Sequence, residues 1–238
     1  MSAKNNQVLA FDLYGTLLST ESIAKKLESH FPSKAQSIST SWRQYQLEYT
    51  WRLNSMGVYK PFSDVTRNAL LHALAEHDES LDDDTTTSLM EAYDHLSIFS
   101  DVESTLTGLT KIPTVTAVVF SNGTEEMVSN SVRRSPELSP HASVFADIVS
   151  VDRVQQYKPA PAVYLHLAKT LRKESSQLGD IWLVSGNPFD IVGARSVGLN
   201  AIWVDRGGRG WVDGAQPDAR PTAVVNSLEE ILVVVQKV

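Results

Sequence analysis

The chain has 238 residues, enough for one large domain or for a core that carries a smaller insertion. Its 42% hydrophobic and 21% charged residues suit a folded protein, and a formal net charge of -7 excludes a broad nucleic-acid footprint or a polybasic membrane contact. Cysteine is absent, which excludes disulfides and thiolate-bound metals.

The opening stretch, MSAKNNQVLAFDLYG, has no apolar segment long enough for a signal peptide, and no later run nears membrane-spanning length. A cytoplasmic enzyme or binding protein is the expectation. Within that stretch QVLAFD reads as a first β-strand running into Asp12. From about Ser19 to Phe99 the pattern changes to consecutive helices with no convincing strand: TESIAKKLESHF, KAQSISTSWRQYQLEYTWRLNSMG, FSDVTRNALLHALAEHD and DDTTTSLMEAYDHL. Gly57 closes the second, Ser63 is placed to cap the third, and acids crowd the start of the fourth. A helical insert directly after the first strand predicts a cap over the active end of a sheet. The expected division is a core of residues 1–18 and 100–238 with a cap of residues 19–99.

Beyond the insert, short β-branched runs alternate with helical patterns: TVTAVVFS, ADIVSV, IWLVS, NAIWVD and finally AVV. That alternation predicts an α/β fold with a parallel sheet covered on both faces. RRSPELSPH and DRGGRGWVDGAQPDARP read as loops by their Pro and Gly content, and SLEEILVVVQKV as a closing helix with a serine cap. There is no internal repeat and no low-complexity tract.

Four polar clusters fall at four strand ends. Asp12 follows VLAF, Ser121 and Asn122 follow TAVVF, Lys158 lies a few residues past DIVSV, and Ser185, Asn187 and Asp190 follow IWLV. Ligands of open parallel sheets bind beyond the carboxyl ends of the strands, so the arrangement is an ordered one. Each cluster also has an ordinary reading. Asp12 could cap the next helix, SNG could be a turn, Lys158 could be a solvated loop lysine, and Asp190 could favour the first turn of a helix opened by Pro188. Arg43, near Trp42, Tyr45 and Tyr49, could be a surface or ion-paired residue on a helix whose aromatics form one apolar face.

Taken together and in order, DLYGT, SNG, YKP and SxNxxD resemble the four motifs of the haloacid dehalogenase superfamily. The likeness is closer to its L-2-haloacid dehalogenases, because WRQYQLEYTWRLNSMG, FSDVTRNAL and SVDRVQQYKP are also similar to segments of that family. The resemblance implies a Rossmann-like core with a helical cap. Superfamily phosphatases typically carry a second aspartate two places after the nucleophile, which protonates the leaving alcohol, and they use magnesium. Here that position is Tyr14 and the fourth motif leaves Asp190 as its clear acid, so a hard cation would be short of ligands. Halide leaves as a stable anion without a proton, needing only electrophilic solvation. Tyr14 therefore points to displacement at carbon, without metal or other cofactor.

The roles implied by the resemblance follow residue by residue. Asp12 is the nucleophile, Lys158 its partner, and Thr16, Ser185, Asn187 and Asp190 order Asp12, Lys158 and the hydrolytic water, with Asp190 the favoured water-activating group. Arg43 abstracts the halide with help from Asn122. Ser121 and the backbone after Asp12 hold the substrate carboxylate. Leu47, Tyr14, Phe62 and Phe189 form a dry pocket, with Leu13 and Tyr164 also among the substrate-binding positions. Gly186-Asn187-Pro188 and Phe189, where the family often has a looser stretch and a tryptophan, bear on pocket size. The expected reaction is hydrolysis of short (S)-2-haloalkanoic acids to (R)-2-hydroxy acids and halide through an ester on Asp12. The partners are then the haloacid, water and halide, with no nucleic acid or membrane, and the resemblance also implies a homodimer. The alternatives are a phosphatase of the same superfamily and a non-catalytic carboxylate-binding protein. No Gly-x-Ser-x-Gly elbow, Walker loop, dinucleotide fingerprint or His-Glu-x-x-His occurs.

Overall fold

In a computed structural model, residues 7–236 are described. Six strands form one parallel sheet: β1 (Gln7–Phe11), β2 (Val115–Ser121), β3 (Phe145–Ser150), β4 (Ile181–Ser185), β5 (Asn200–Val204) and β6 (Ala223–Val225). Their order is β3-β2-β1-β4-β5-β6. The register pairs Phe11 with Val119 of β2 and with Val184 of β4, so the strand ahead of Asp12 lies at the centre of the sheet. All six sequence-predicted strands are present. Every residue of β4 and nearly every residue of β1 is buried, as a sheet covered on both faces requires.

Four helices intervene between β1 and the next core helix: α1 (Ala24–Leu27), α2 (Ala35–Met56), α3 (Phe62–Glu76) and α4 (Asp83–Tyr93). The segments leading in and out of them run side by side, joined by Ser19 N–H to the Ser97 carbonyl at 2.8 Å and Phe99 N–H to the Leu17 carbonyl at 3.2 Å. The long α2 packs along α3, and the Trp42 indole N–H donates to the Thr66 carbonyl at 2.8 Å. Gly57 ends α2 in the left-handed region at φ 64°, as expected. Ser63 does not cap α3. Pro61 occupies the cap position in an extended conformation and Ser63 lies inside the first turn. The acids before α4 act as predicted, with Asp82 accepting from Thr85 N–H at 2.7 Å.

The remaining helices are α5 (Val102–Leu109), α6 (Glu125–Arg133), α7 (Pro161–Thr170), α8 (Pro188–Ser196) and α9 (Ile231–Val234). Ser227 caps a 3-10 turn that leads into α9, a shorter closing helix than the sequence pattern implied; Lys237 and Val238 of that pattern lie outside the described residues. Arg206 in the loop after β5 braces the junction where the insert rejoins the core. It donates to both oxygens of Asp101 and to the Thr16 carbonyl, and its guanidinium stacks over Phe99 at 3.9 Å. No helix among the described residues is long and apolar enough to cross a membrane.

Candidate active site

Asp12 is the first residue past β1, its N–H still continuing the ladder to the Val184 carbonyl at 3.0 Å. The chain then turns sharply, with Thr16, Leu17 and Leu18 all donating to the Leu13 carbonyl. Gly15 makes the turn possible. Its φ is +86°, and a Cβ there would meet Asn187 Oδ1 at 3.2 Å. The turn brings Thr16 under the carboxylate it follows by four residues.

The two oxygens of Asp12 have different surroundings. Oδ2 accepts from Thr16 Oγ1 at 2.7 Å, Asn187 Nδ2 at 2.7 Å and Ser185 Oγ at 3.3 Å. Among the described residues Oδ1 accepts from Lys158 Nζ alone, at 3.0 Å. The same ammonium donates to Asp190 Oδ2 at 2.8 Å and to the Phe120 carbonyl at 2.8 Å. Lys158 is 1% exposed, which removes the solvated-loop reading. Burial opposes its charge, but Asp12 and Asp190 outweigh that and hold the ammonium above the ordinary lysine value. Burial, reinforced by the charge of Asp12, pushes the Asp190 carboxyl up against the pull of Lys158. Placing three charged groups in the interior costs several kcal/mol per ion before pairing, so the cluster is kept for chemistry rather than stability.

The donors do not suit a divalent cation. An ammonium already touches both carboxylates, Asp12 Oδ2 is filled by three hydrogen bonds, and residue 14 is a tyrosine. Among the described residues no group of three or more His, Asp or Glu is placed to hold a metal.

From α2, Arg43 reaches over this cluster. Its Nη2 lies 3.2 Å from the Tyr14 carbonyl and 3.4 Å from Asn187 Oδ1, and its Nη1 donates to Gln46 Oε1 at 2.7 Å. No carboxylate pairs with it among the described residues. A small cavity of about 10 Å³ lies between the arginine and the aspartate, lined by Asp12, Tyr14, Arg43, Leu47, Phe62, Asn122, Lys158, Asn187 and Phe189. Asn122 Oδ1 accepts from Lys158 N–H at 2.9 Å, which leaves its Nδ2, a donor, for other partners. Tyr14 stacks on Phe62 at 5.7 Å, and its hydroxyl is buried. A larger cleft of about 720 Å³ between α1, α4 and α6 is lined by serines with His30 and His95, but Ser22 and Ser29 donate to backbone carbonyls, so the chemistry is assigned to the small cavity.

Six sequence-predicted positions do not line that cavity. Thr16 and Ser185 bond Asp12 from beneath. Leu13 is fully buried and serves through its carbonyl. Ser121 Oγ accepts from Gly123 N–H at 3.1 Å within its own turn. Tyr164 donates its hydroxyl to Asp190 Oδ1 at 2.7 Å and packs under α8. Asp190, 0% exposed, does not line the cavity; one of its oxygens accepts from Lys158 and the other from Tyr164. Sequence reasoning missed Gln46, Tyr93 and Asn54. Gln46 sits three residues after Arg43 on one helix face, a spacing that was available as a signal; the other two become neighbours only through the fold.

The family described as haloacid dehalogenase-like hydrolase matches residues 7–198. The chain is 35% identical over 234 residues to the (S)-2-haloacid dehalogenase of Pseudomonas fluorescens, covering 96% of each. It is 34% identical over 234 residues to that of Pseudomonas putida, again covering 96% of each. Among solved structures it is similar to the L-2-haloacid dehalogenase of Xanthobacter autotrophicus with chloropropionic acid covalently bound. There the TM-score is 0.85 and the identity 26%, over 97% of this chain and 98% of that one.

Proposed function

We infer, for a chain that belongs to the haloacid dehalogenase-like hydrolases, that this cavity releases halide from short (S)-2-haloalkanoic acids and yields (R)-2-hydroxy acids. The observation that carries the reading is the pairing across one small cavity of a lysine-bound carboxylate with an arginine that, among the described residues, meets no carboxylate, where residue 14 is not an acid. Helices α1–α4 act as a cap over the core, and Arg43 is the cap's contribution.

Asp12 Oδ1 is the oxygen with fewest hydrogen bonds, so it has an electron pair to give. It attacks C2 from behind the halogen; the C2–O bond forms as the carbon–halogen bond breaks, and the halide leaves with the bonding pair. Arg43 and Asn122 Nδ2 solvate that anion where water is scarce. Backbone N–H groups after Asp12 hold the substrate carboxylate. Water then adds to the Asp12 carboxyl carbon, the hydroxy acid departs, one proton passes to solvent and Asp12 is restored. Asp190 acts through Lys158, keeping the ammonium charged and in line. The stereocentre inverts once. The same reading takes the enzyme to be cytoplasmic and homodimeric, with exposed Trp51, Met56 and Leu71 on α2 and α3 as apolar surface for a second copy.

Halide release from the two enantiomers of 2-chloropropanoate tests the function, run with and without EDTA beside p-nitrophenyl phosphate. The expected result is chloride from the S enantiomer alone, at a rate indifferent to chelation, and no phosphate. Phosphate release that magnesium restores after EDTA, with no chloride, overturns the reading.

A further inference from the structure

A cation in a cavity wall is useful only if the direction of its guanidinium is fixed. The carboxamide of Gln46, one turn along α2 from Arg43, is 0% exposed and sits at the centre of a small polar network. Its Oε1 accepts from Arg43 Nη1 at 2.7 Å and from the Tyr93 hydroxyl at 3.0 Å. Its Nε2 donates to Thr66 Oγ1 at 2.7 Å. The Thr66 hydroxyl proton is already spent on the Phe62 carbonyl, also at 2.7 Å.

The order of protons is therefore set from one end. With its hydrogen on Phe62, Thr66 can only accept from Gln46, and a flipped amide would turn Nε2 towards the donors of Arg43 and leave Oε1 facing an oxygen with no proton to give. Gln46 thus presents an acceptor to Arg43 in one orientation. The contacts of Nη2, at 3.2 and 3.4 Å, are longer and more readily exchanged for a departing anion than the one to Gln46. The residue type also fits. A carboxylate in this place would hold the arginine more tightly but cancel the charge that an anion must meet, whereas a carboxamide holds it and leaves the charge whole.

We propose that Gln46 is a positioning residue, which orients Arg43 as the halide acceptor while leaving its positive charge uncompensated. This rests on the reading of Arg43 given above. The role belongs to ester formation, when halide leaves, and has no part in ester hydrolysis, so the two steps separate it from a general support of the fold.

The test uses the full chain and two variants, Gln46→Glu, which keeps the shape and an acceptor but adds charge, and Gln46→Met, which removes the acceptor. Single-turnover quench experiments with (S)-2-chloro- and (S)-2-bromopropanoate give the rates of ester formation and ester hydrolysis separately. Bromide binding to the unreacted protein is titrated by ⁸¹Br line broadening, which needs no turnover. In both variants ester formation is expected to slow at least ~10-fold, in Gln46→Met from loss of a well-made bond to a charged group and in Gln46→Glu from cancelled charge on Arg43, with chloride affected more than bromide. Bromide binding is expected to weaken in step, and hydrolysis of the ester to keep its rate. Formation and hydrolysis falling together, or bromide binding and ester formation both unchanged, overturns the proposal. A wild-type protein that binds bromide but never forms the ester sinks the dehalogenase reading instead, and bromide binding in the variants still decides the role of Gln46.

Discussion

Asp12 offers its substrate two unequal oxygens, one held by three donors and one held only by Lys158. If Oδ1 attacks carbon, a single turnover in ¹⁸O-water with excess enzyme puts the label into Asp12 and not into the new hydroxyl, which mass spectrometry of the peptide and of the product will show. Label in the hydroxyl during that turnover would make Asp12 a general base. Arg43→Ala is expected to lower dehalogenation by at least ~10²-fold, the usual cost of a lost electrostatic donor, with circular dichroism unchanged; near-normal turnover of chloro substrates removes Arg43 from the mechanism. The Lys158 ammonium lies above the ordinary 10.5 in the folded state. Its pairing therefore stabilises the fold fully below that pH and is lost only as pH rises through the higher folded value. The alkaline limb of kcat/KM should accordingly fall above 10.5, and a limb well below it would mean that the ammonium is not the charged partner of Asp12. Asp12 and Lys158 were legible because each lies in a motif with a fixed order, whereas Arg43 was legible only through the likeness of its helix segment to a known family. Gln46 lies outside those motifs, and its only sequence signal was the i, i+3 spacing from Arg43. Asp190 was legible as a residue but not as a contact, because only packing shows Tyr164 and Lys158 occupying its two oxygens.

Among the elements, α2 carries most of what the insert brings to the site. Arg43, Gln46 and Leu47 lie in its middle, and near its end Asn54 grips both backbone groups of Tyr157, at 2.6 and 2.9 Å, one residue before Lys158. Two glycines show how local geometry divides between chemistry and stability. A Cβ on Gly186 would fall 2.5 Å from the Gly15 carbonyl oxygen, so Gly186→Ala must displace the turn that aligns Asp12. Its expected effect is a kcat lower by roughly 10²-fold, as for a misplacement near 1 Å, with a melt close to wild type. At Gly57 nothing stands within 4 Å, and only the positive φ matters. Gly57→Ala should cost about 1 kcal/mol in urea unfolding and leave kcat alone; the opposite pattern for the two variants would refute this division. The strands were readable because β-branched runs bounded by polar turns are a short-range signal. The cap of α3 was misread because Ser63 has a capping side chain, whereas the chain enters the helix through the extended backbone of Pro61.

At the scale of the whole molecule, strand order was the part that sequence could not supply. Which strand ends meet depends on pairings between residues more than a hundred positions apart, such as Phe11 with Val119 and Val184. With β1 at the centre, loops from β2 and β4 flank Asp12 and the helical insert closes over the top. The result is the small cavity under Arg43. About 10 Å³ holds roughly one water, far less than a haloalkanoate of even three carbons. The insert meets the core through aromatic packing of Tyr14 against Phe62 and Tyr93 and through polar links such as Asn54 with Tyr157, Tyr59 with Asp152 and Asn130 with Asp94, all of which can be remade after parting. For the proposed reaction the insert has to part from the core to admit the acid and again to release the halide and hydroxy acid. Movement of that kind feels friction. Where bond breaking is quick, as with bromide, kcat should fall as sucrose raises the viscosity of the medium, and with chloride it should fall less. A kcat for the bromo acid that ignores viscosity would mean that the chamber opens faster than any chemistry it contains.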